Sequence, residues 1–238
     1  LDGADASSHD AFRGIRGSFD QAVAGIRSLR RAGIEVQLNV TFTKSNQRDA
    51  AAMLDLVREL DACALHAFLL VPVGCGVDLP DSIRLEPAEV ERLLTFLDTE
   101  AGVRDLEIRA TCAPQAQRIR IQRARDRARK GLPEVRGLAP SSKGCLAGGG
   151  ILFVDAVGRV FPCGYLPLEV GDLRRQPLAR ILSESSMLAS LRDTSLLGGR
   201  CKGCEFDAVC GGCRARAFGT DGELFGEEPS CPMGARRP

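Results

Sequence analysis

The 238-residue chain contains no tryptophan, a single tyrosine, two histidines and only 5% aromatic residues. Its one markedly basic stretch, residues 113–131 with Asp126 as the sole acid, has no aromatic side chain interleaved on which a base would stack. A charge excess is missing as well: 32 basic residues face 31 acidic ones, for a net charge of +1. That balance excludes a strongly cationic nucleic-acid binder and a highly charged disordered chain. No apolar run approaches the roughly 18–20 residues of a spanning helix, and no signal-peptide pattern opens the chain. The expectation is a cytoplasmic protein without a membrane partner and with nucleic acid an unlikely one. An initiating methionine is lacking too, and Leu1-Asp2-Gly3 reads as the end of a strand, so the chain is expected to be a piece of a longer protein.

Cysteine, by contrast, is plentiful. Cys63, Cys75 and Cys112 are scattered, whereas Cys145, Cys163, Cys201, Cys204, Cys210, Cys213 and Cys231 crowd the C-terminal part of the chain. A short secreted disulfide scaffold would bring a signal peptide and a loop-rich sequence, so metal ligation outranks disulfides.

The first 112 residues repeat a helix-then-strand rhythm. Phe19, Ala22, Val23, Ile26 and Leu29 share one helical face closed by Gly33. Ile34, Val36, Leu38, Val40 and Phe42 alternate with polar residues, which predicts a strand over 34–43. Asn46 is placed to cap a helix carrying Met53, Leu54, Val57 and Leu60, and an apolar strand follows over 65–73. Pro87 starts a third helix, and a strand at about 105–111 closes the series. The fold class is α/β with parallel strands. The strand at 34–43 carries Gln37, Asn39, Thr41 and Thr43 on one face, which points either into a wet or ligand-filled lumen or, on an edge strand, to solvent. Residues 132–144 read as a linker and 145–238 as a second, cysteine-rich domain.

Cys201-x2-Cys204 and Cys210-x2-Cys213 form a knuckle whose pairs are each expected to present two thiolates to one centre, with Gly203, Gly211 and Gly212 allowing a tight turn. Upstream, Cys145 and Cys163 flank a hairpin, 151–154 with 159–161, whose closure brings them together. Both zinc and iron–sulfur suit thiolate ligands. Seven cysteines exceed one zinc site and fall one short of two four-thiolate cubanes. The eighth ligand is open: Cys112, another side chain, water or nothing. A zinc-knuckle binding module therefore stands as an alternative.

The series Cys145-x12-Gly158-x4-Cys163, Cys201-x2-Cys204-x5-Cys210-x2-Cys213, Cys231 resembles the SPASM domain of radical SAM enzymes, although that pattern often has three residues before the cysteine matching Cys213. Leu1-Asp2-Gly3 and His9-Asp10-Ala11-Phe12-Arg13-Gly14 are similar to the segment after the fourth strand of the radical SAM barrel. The resemblance implies the C-terminal part of a partial (β/α)6 barrel over 1–131, followed by a small α+β SPASM domain. It implies one or two auxiliary [4Fe–4S] clusters held by the seven clustered cysteines. It further implies S-adenosylmethionine, a SAM-bound [4Fe–4S] cluster, and an electron donor and acceptor in the whole protein. The Cys-x3-Cys-x2-Cys loop that holds the SAM cluster does not occur in these residues, so this chain alone is expected to be inactive.

Gly144-Cys145-Leu146-Ala147-Gly148, Phe161-Pro162-Cys163-Gly164-Tyr165-Leu166-Pro167 and Cys210-Gly211-Gly212-Cys213-Arg214-Ala215-Arg216-Ala217 resemble the branch that oxidatively decarboxylates iron-coproporphyrin III to protohaem, with Gly74-Cys75-Gly76 as a departure. The implied substrate is a small molecule or tetrapyrrole; a maturase of a ribosomal peptide or protein is the alternative. By this resemblance Asp2, Gln37 and Asn39 are candidates for the SAM site. Arg13, Arg118 and Arg120 are candidates for the substrate carboxylates, Arg being preferred for its planar fork. The catalytic group is not identified; Tyr165 and His9 are weak candidates. His66, in an apolar strand, reads as a core residue.

Overall fold

The computed structural model describes residues 1–139 and 143–233. The chain divides into two compact units, Leu1–Leu70 with Pro80–Ser141 and Val71–Leu79 with Ser142–Pro238.

In the first unit α1 (Ala6–Arg13) and α2 (Ser18–Arg31) precede β1 (Gln37–Phe42). Then come α3 (Ala50–Glu59), β2 (Ala64–Leu69), α4 (Pro87–Val103), β3 (Glu107–Thr111) and α5 (Gln115–Arg129). Helical crossovers return each strand in the same direction, so the sheet is parallel, in the order β1-β2-β3. Leu38, Val40 and Phe42 of β1 are buried with Leu54, Val57, Leu65, Leu94 and Ile108 in one core. Gln37 and Asn39, on the opposite face of the same strand, are exposed. The period of two thus leaves one face of the sheet polar and open. Helix α4 starts as its sequence indicates, with Pro87 in its first turn and Glu86 and Glu89 in a reciprocal capping box.

Three expectations are corrected. Asn46 caps no helix: a 3₁₀ turn, Gln47–Asp49, precedes α3. Its side chain instead accepts the Thr43 N–H at 2.8 Å and donates to the carbonyls of Asp2 and Thr41 at 2.8 and 2.9 Å. The apolar run 65–73 leaves the sheet after Leu69, because residues 71–79 pack with the second unit. There Gly219 lets Pro72 approach closely: a Cβ on Gly219 would lie 2.5 Å from the Pro72 carbonyl oxygen. The segment 132–144, expected as a linker, packs onto the first unit as far as residue 139; its residues 140–142 lie outside those described. Leu138 is buried, and its N–H donates to Asp98 Oδ1 at 2.9 Å, while Ala139 N–H donates to the Ile108 carbonyl at 2.8 Å.

The second unit holds an antiparallel sheet of β4 (Phe153–Val154), β5 (Arg159–Phe161) and β6 (Gly171–Asp172), then α6 (Leu178–Glu184), α7 (Ser186–Arg192) and α8 (Arg214–Asp221). The hairpin expected over 151–154 and 159–161 forms as β4 and β5, its first strand shorter, with Gly158 at φ 88° in its turn; the third strand was not foreseen. The Arg174 side chain and N–H hold the Asp172 carboxyl down at about 2.

Candidate metal centre and the open sheet face

The cysteines of the second unit are brought together by a few backbone contacts. Gly144 N–H donates to the Val209 carbonyl at 2.7 Å and Cys145 N–H to the Cys210 carbonyl at 3.1 Å, so residues 144–145 run beside 209–210. Cys163 follows β5 directly. Cys201 and Cys204 sit one turn apart, with Cys204 N–H donating to the Cys201 carbonyl at 3.3 Å. Between Cys210 and Cys213, Gly211 and Gly212 are both left-handed, at φ 70° and 60°. Two such residues in succession require glycine.

The two thiols of the second Cys-x2-Cys pair, expected at one centre, have different electrostatic neighbours. Cys213 exerts its electrostatic influence on Cys145 and Cys163, whereas Cys210 feels Cys231 and Cys201. Burial pushes the Cys145 thiol up to about 11 and the Cys210 thiol up to about 12, and raises Cys163 as well. Opposing this, backbone N–H groups are directed at sulfur. Arg214 and Ala147 donate to Cys145, Tyr165 and Leu166 to Cys163, and Gly212 to Cys210. Glu228 N–H lies 3.4 Å from Cys201 Sγ. All seven cysteines are free of disulfides. Half-buried thiols met by N–H donors are a fitting donor set for a cationic iron–sulfur core, which would supply the positive charge that turns them into thiolates. Among the described residues no three Cys, His, Asp or Glu side chains converge as they would on a single metal ion. Cys112 lies in the first unit after β3, at φ 54°.

Glu228 touches both thiol groups. Its Oε2 accepts the Cys213 N–H at 2.6 Å, and its Oε1 accepts Arg216 and the Ser230 N–H, both at 3.0 Å, with Arg216 and Glu228 almost wholly buried. Neither Arg216 nor Glu228 was singled out from the sequence; the only hint was a Cys-Arg-Ala-Arg run at 213–216.

On the open face of the first unit, the register aligns Asn39, His66 and Arg109 across the three strands. Gln37 Nε2 donates to Asn39 Oδ1 at 3.1 Å and lies 3.5 Å from His66 Nδ1, while His66 Nε2 meets the Thr111 hydroxyl. His66 is therefore a half-buried member of the polar face, not a core residue. Burial and, secondarily, Arg109 lower its pKa. Arg109 itself is exposed and paired with Glu107 at 2.6 Å. Alternation of Glu107, Arg109 and Thr111 in β3 was the sequence clue to this half of the face.

The other candidates are committed elsewhere. Asp2 is buried, with Oδ1 accepting the Thr41 N–H at 2.8 Å and Oδ2 paired with Arg13 at 2.5 Å. His9 is buried, accepts the Asp2 N–H on Nδ1 at 2.9 Å, and packs edge-on to Phe19; burial lowers its pKa. Asp2, His9 and Arg13 thus brace α1 against β1. Arg118, 3% exposed, is bound through both terminal nitrogens by Glu91. Arg120 is half-buried and has no ion pair among the described residues. Tyr165 is exposed.

A parallel half-sheet followed by a thiol-rich unit defines the class of protein. Residues 145–214 match the SPASM family, described as an iron-sulfur cluster-binding domain, and Cys231 lies just beyond the match. Residues 145–214 thus carry a SPASM domain, which follows the parallel α/β unit in the chain. The "AdoMet-dependent heme synthase" of Methanosarcina barkeri is 41% identical, over 97% of this chain and 65% of that protein. The protein of the same name from Nitratidesulfovibrio vulgaris is 40% identical, over 100% of this chain and 64% of that one. The chain thus spans slightly under two thirds of the length of these relatives. Among solved structures, "Native anSMEcpe with bound AdoMet" superposes with a TM-score of 0.65 over 97% of this chain and 61% of that one, at 16% identity, a likeness of fold. Among the described residues no helix is long and apolar enough to cross a membrane.

Proposed function

We propose that the protein is a radical SAM/SPASM oxidoreductase of haem synthesis, which oxidatively decarboxylates two propionates of iron-coproporphyrin III to the vinyls of protohaem. The observation that carries this reading is the identity of about 40% to haem synthases along the whole chain, cysteine-rich unit included. Each propionate loses its carboxylate as carbon dioxide and a hydrogen atom from its side chain, leaving the vinyl, so one electron per propionate has to be taken up. Bound iron–sulfur clusters supply that electron capacity. The chain's own part is to hold them as two groups, Cys145, Cys163 and Cys213 in the first, and Cys201, Cys204, Cys210 and Cys231 in the second. The N–H groups aimed at sulfur favour the anionic ligand and so set the potential.

On the open face, Gln37 and Asn39 offer amide groups to a polar cofactor such as S-adenosylmethionine. His66, kept neutral at pH 7, fixes Thr111. Arg120 and Arg109 are the cations left for substrate carboxylates, since detaching Arg118 from Glu91 would strand a buried charge. Arg109 exchanges its exposed partner at little cost.

The test is an anaerobic assay of the protein expressed from its complete reading frame, with S-adenosylmethionine, a reductant and iron-coproporphyrin III. Protohaem, identified by chromatography and mass, is expected. Modification of a ribosomal peptide with no porphyrin turnover would shift the reading to a maturase. Stoichiometric zinc without acid-labile sulfide would reduce it to a zinc knuckle.

A further inference from the structure

Two ion pairs flank the second thiol group. Arg200, whose guanidinium donates to the Cys231 carbonyl at 3.2 Å, pairs with Glu227 at 2.7 Å, and Arg216 pairs with Glu228 at 3.0 Å. The first group has a different neighbour. Arg214, 3% exposed, follows Cys213 directly and has only carbonyl partners: Gly212 at 3.3 Å from Nε, and Leu224 and Gly226 at 3.1 and 2.7 Å from one terminal nitrogen. Its other terminal nitrogen is buried with no hydrogen-bond partner. Among the described residues it has no carboxylate partner. The left-handed Gly212 makes room for it, since a Cβ there would lie 2.4 Å from that unpartnered nitrogen. Lys143 and Asp193, opposite in sign, line the cavity beside Cys145 and Arg214.

A buried cation held by carbonyls alone is a costly arrangement unless an anion completes it. An iron–sulfur cluster ligated by three or four thiolates is anionic in both of its oxidation states, and more so when reduced. We infer that Arg214 is the counter-ion of the cluster held by Cys145, Cys163 and Cys213, and that it makes this cluster the more easily reduced of the two. A fixed positive charge in a low-dielectric site stabilises the more anionic, one-electron-reduced state most. The second cluster, flanked by internally neutral pairs, has no such bias. The inference rests on the two-cluster reading of the site.

The experiment is an EPR-monitored redox titration, with dithionite as reductant, of the anaerobically reconstituted protein and of its Arg214→Gln and Arg214→Lys variants. Cys163→Ser and Cys204→Ser variants assign the two signals. In Arg214→Gln the signal that depends on Cys163 should move to lower potential by more than the other, and Arg214→Lys should restore it. Loss of the first cluster's iron and sulfide in Arg214→Gln, with retention in Arg214→Lys, also supports a counter-ion. Signals that move together or not at all overturn the inference, as does loss of that cluster in both variants, which would make Arg214 a clamp on the carbonyls. A wild-type protein that takes up no iron and sulfide removes the two-cluster reading itself.

Discussion

Replacing Glu228 by Gln removes one charge beside Cys201 and Cys213. In the native arrangement Oε1 serves Arg216 and Ser230 while Oε2 serves Cys213, so every contact on the carboxylate is with a donor. A glutamine has one oxygen. Whichever way its amide is turned, the NH₂ faces either the Cys213 N–H or the Arg216 and Ser230 donors. The carboxylate of a wholly buried pair is lost as well, and breaking such a pair costs about 3–5 kcal/mol. At roughly 2–4 °C per kcal/mol for a chain of this size, the melting midpoint should fall by about 6–20 °C. The assay is anaerobic thermal unfolding of reconstituted protein, followed by loss of the visible charge-transfer absorption and by far-ultraviolet circular dichroism. Adding Arg216→Met should recover much of the loss, because a pair removed together leaves no lone charge. A Glu228→Gln protein that melts within about 2 °C of wild type, or a double variant no better than the sum of its parts, would refute the reasoning.

Cys163→Ser and Cys204→Ser should each remove about four iron and four sulfide from the reconstituted protein, as one cubane apiece; iron and acid-labile sulfide analysis checks this, and a common loss of everything would argue for a single centre. His66 should titrate below its ordinary 6.5 in an NMR titration, and Arg109→Gln should raise the value. Because the folded pKa is depressed for a base, His66 costs stability as pH falls below 6.5. Asp172 acts in the same direction at lower pH: its carboxylate stabilises β6 above about 4 and loses that contribution as pH falls toward 2, so Asp172→Asn should flatten the acid limb of a pH titration followed by circular dichroism. Asp2→Asn should free Arg13 and loosen α1 from β1 by about 1.5–3 kcal/mol, the scale of a hydrogen bond to a charged group, as read by urea denaturation.

What could be read from the sequence was what is local. The alternation in β1, the start of α4 at Pro87 and the hairpin before Cys163 depend on neighbours a few residues apart, and each forms within the span expected for it. The seven cysteines also stood out, because ligand spacing is written along the chain. Their proposed division into two groups was not legible, since it draws on two consecutive left-handed glycines and on electrostatic neighbours far apart in the sequence. His66 was misread because β2 offers Ala64, Leu65, Ala67 and Leu69 on both sides of it, and only the register with Asn39 and Arg109 shows which face it shares. Arg13 and Arg118 looked available because a sequence shows a cation without the Asp2 or Glu91 that answers it.

The detour of residues 71–79 into the second unit bears on how the protein is made and how it can be cut. Helix α8, which carries Gly219 against Pro72, cannot reach its final packing until a segment synthesised long before it is waiting there. Such non-local closure slows assembly and raises the contact order of the unit that holds the cysteines. An excised piece bounded by the family match would omit that segment and uncover the helix directly behind Cys213. A cluster-binding module taken from this chain would therefore have to be joined from two separate stretches, with residues 71–79 grafted back onto residues 143–233.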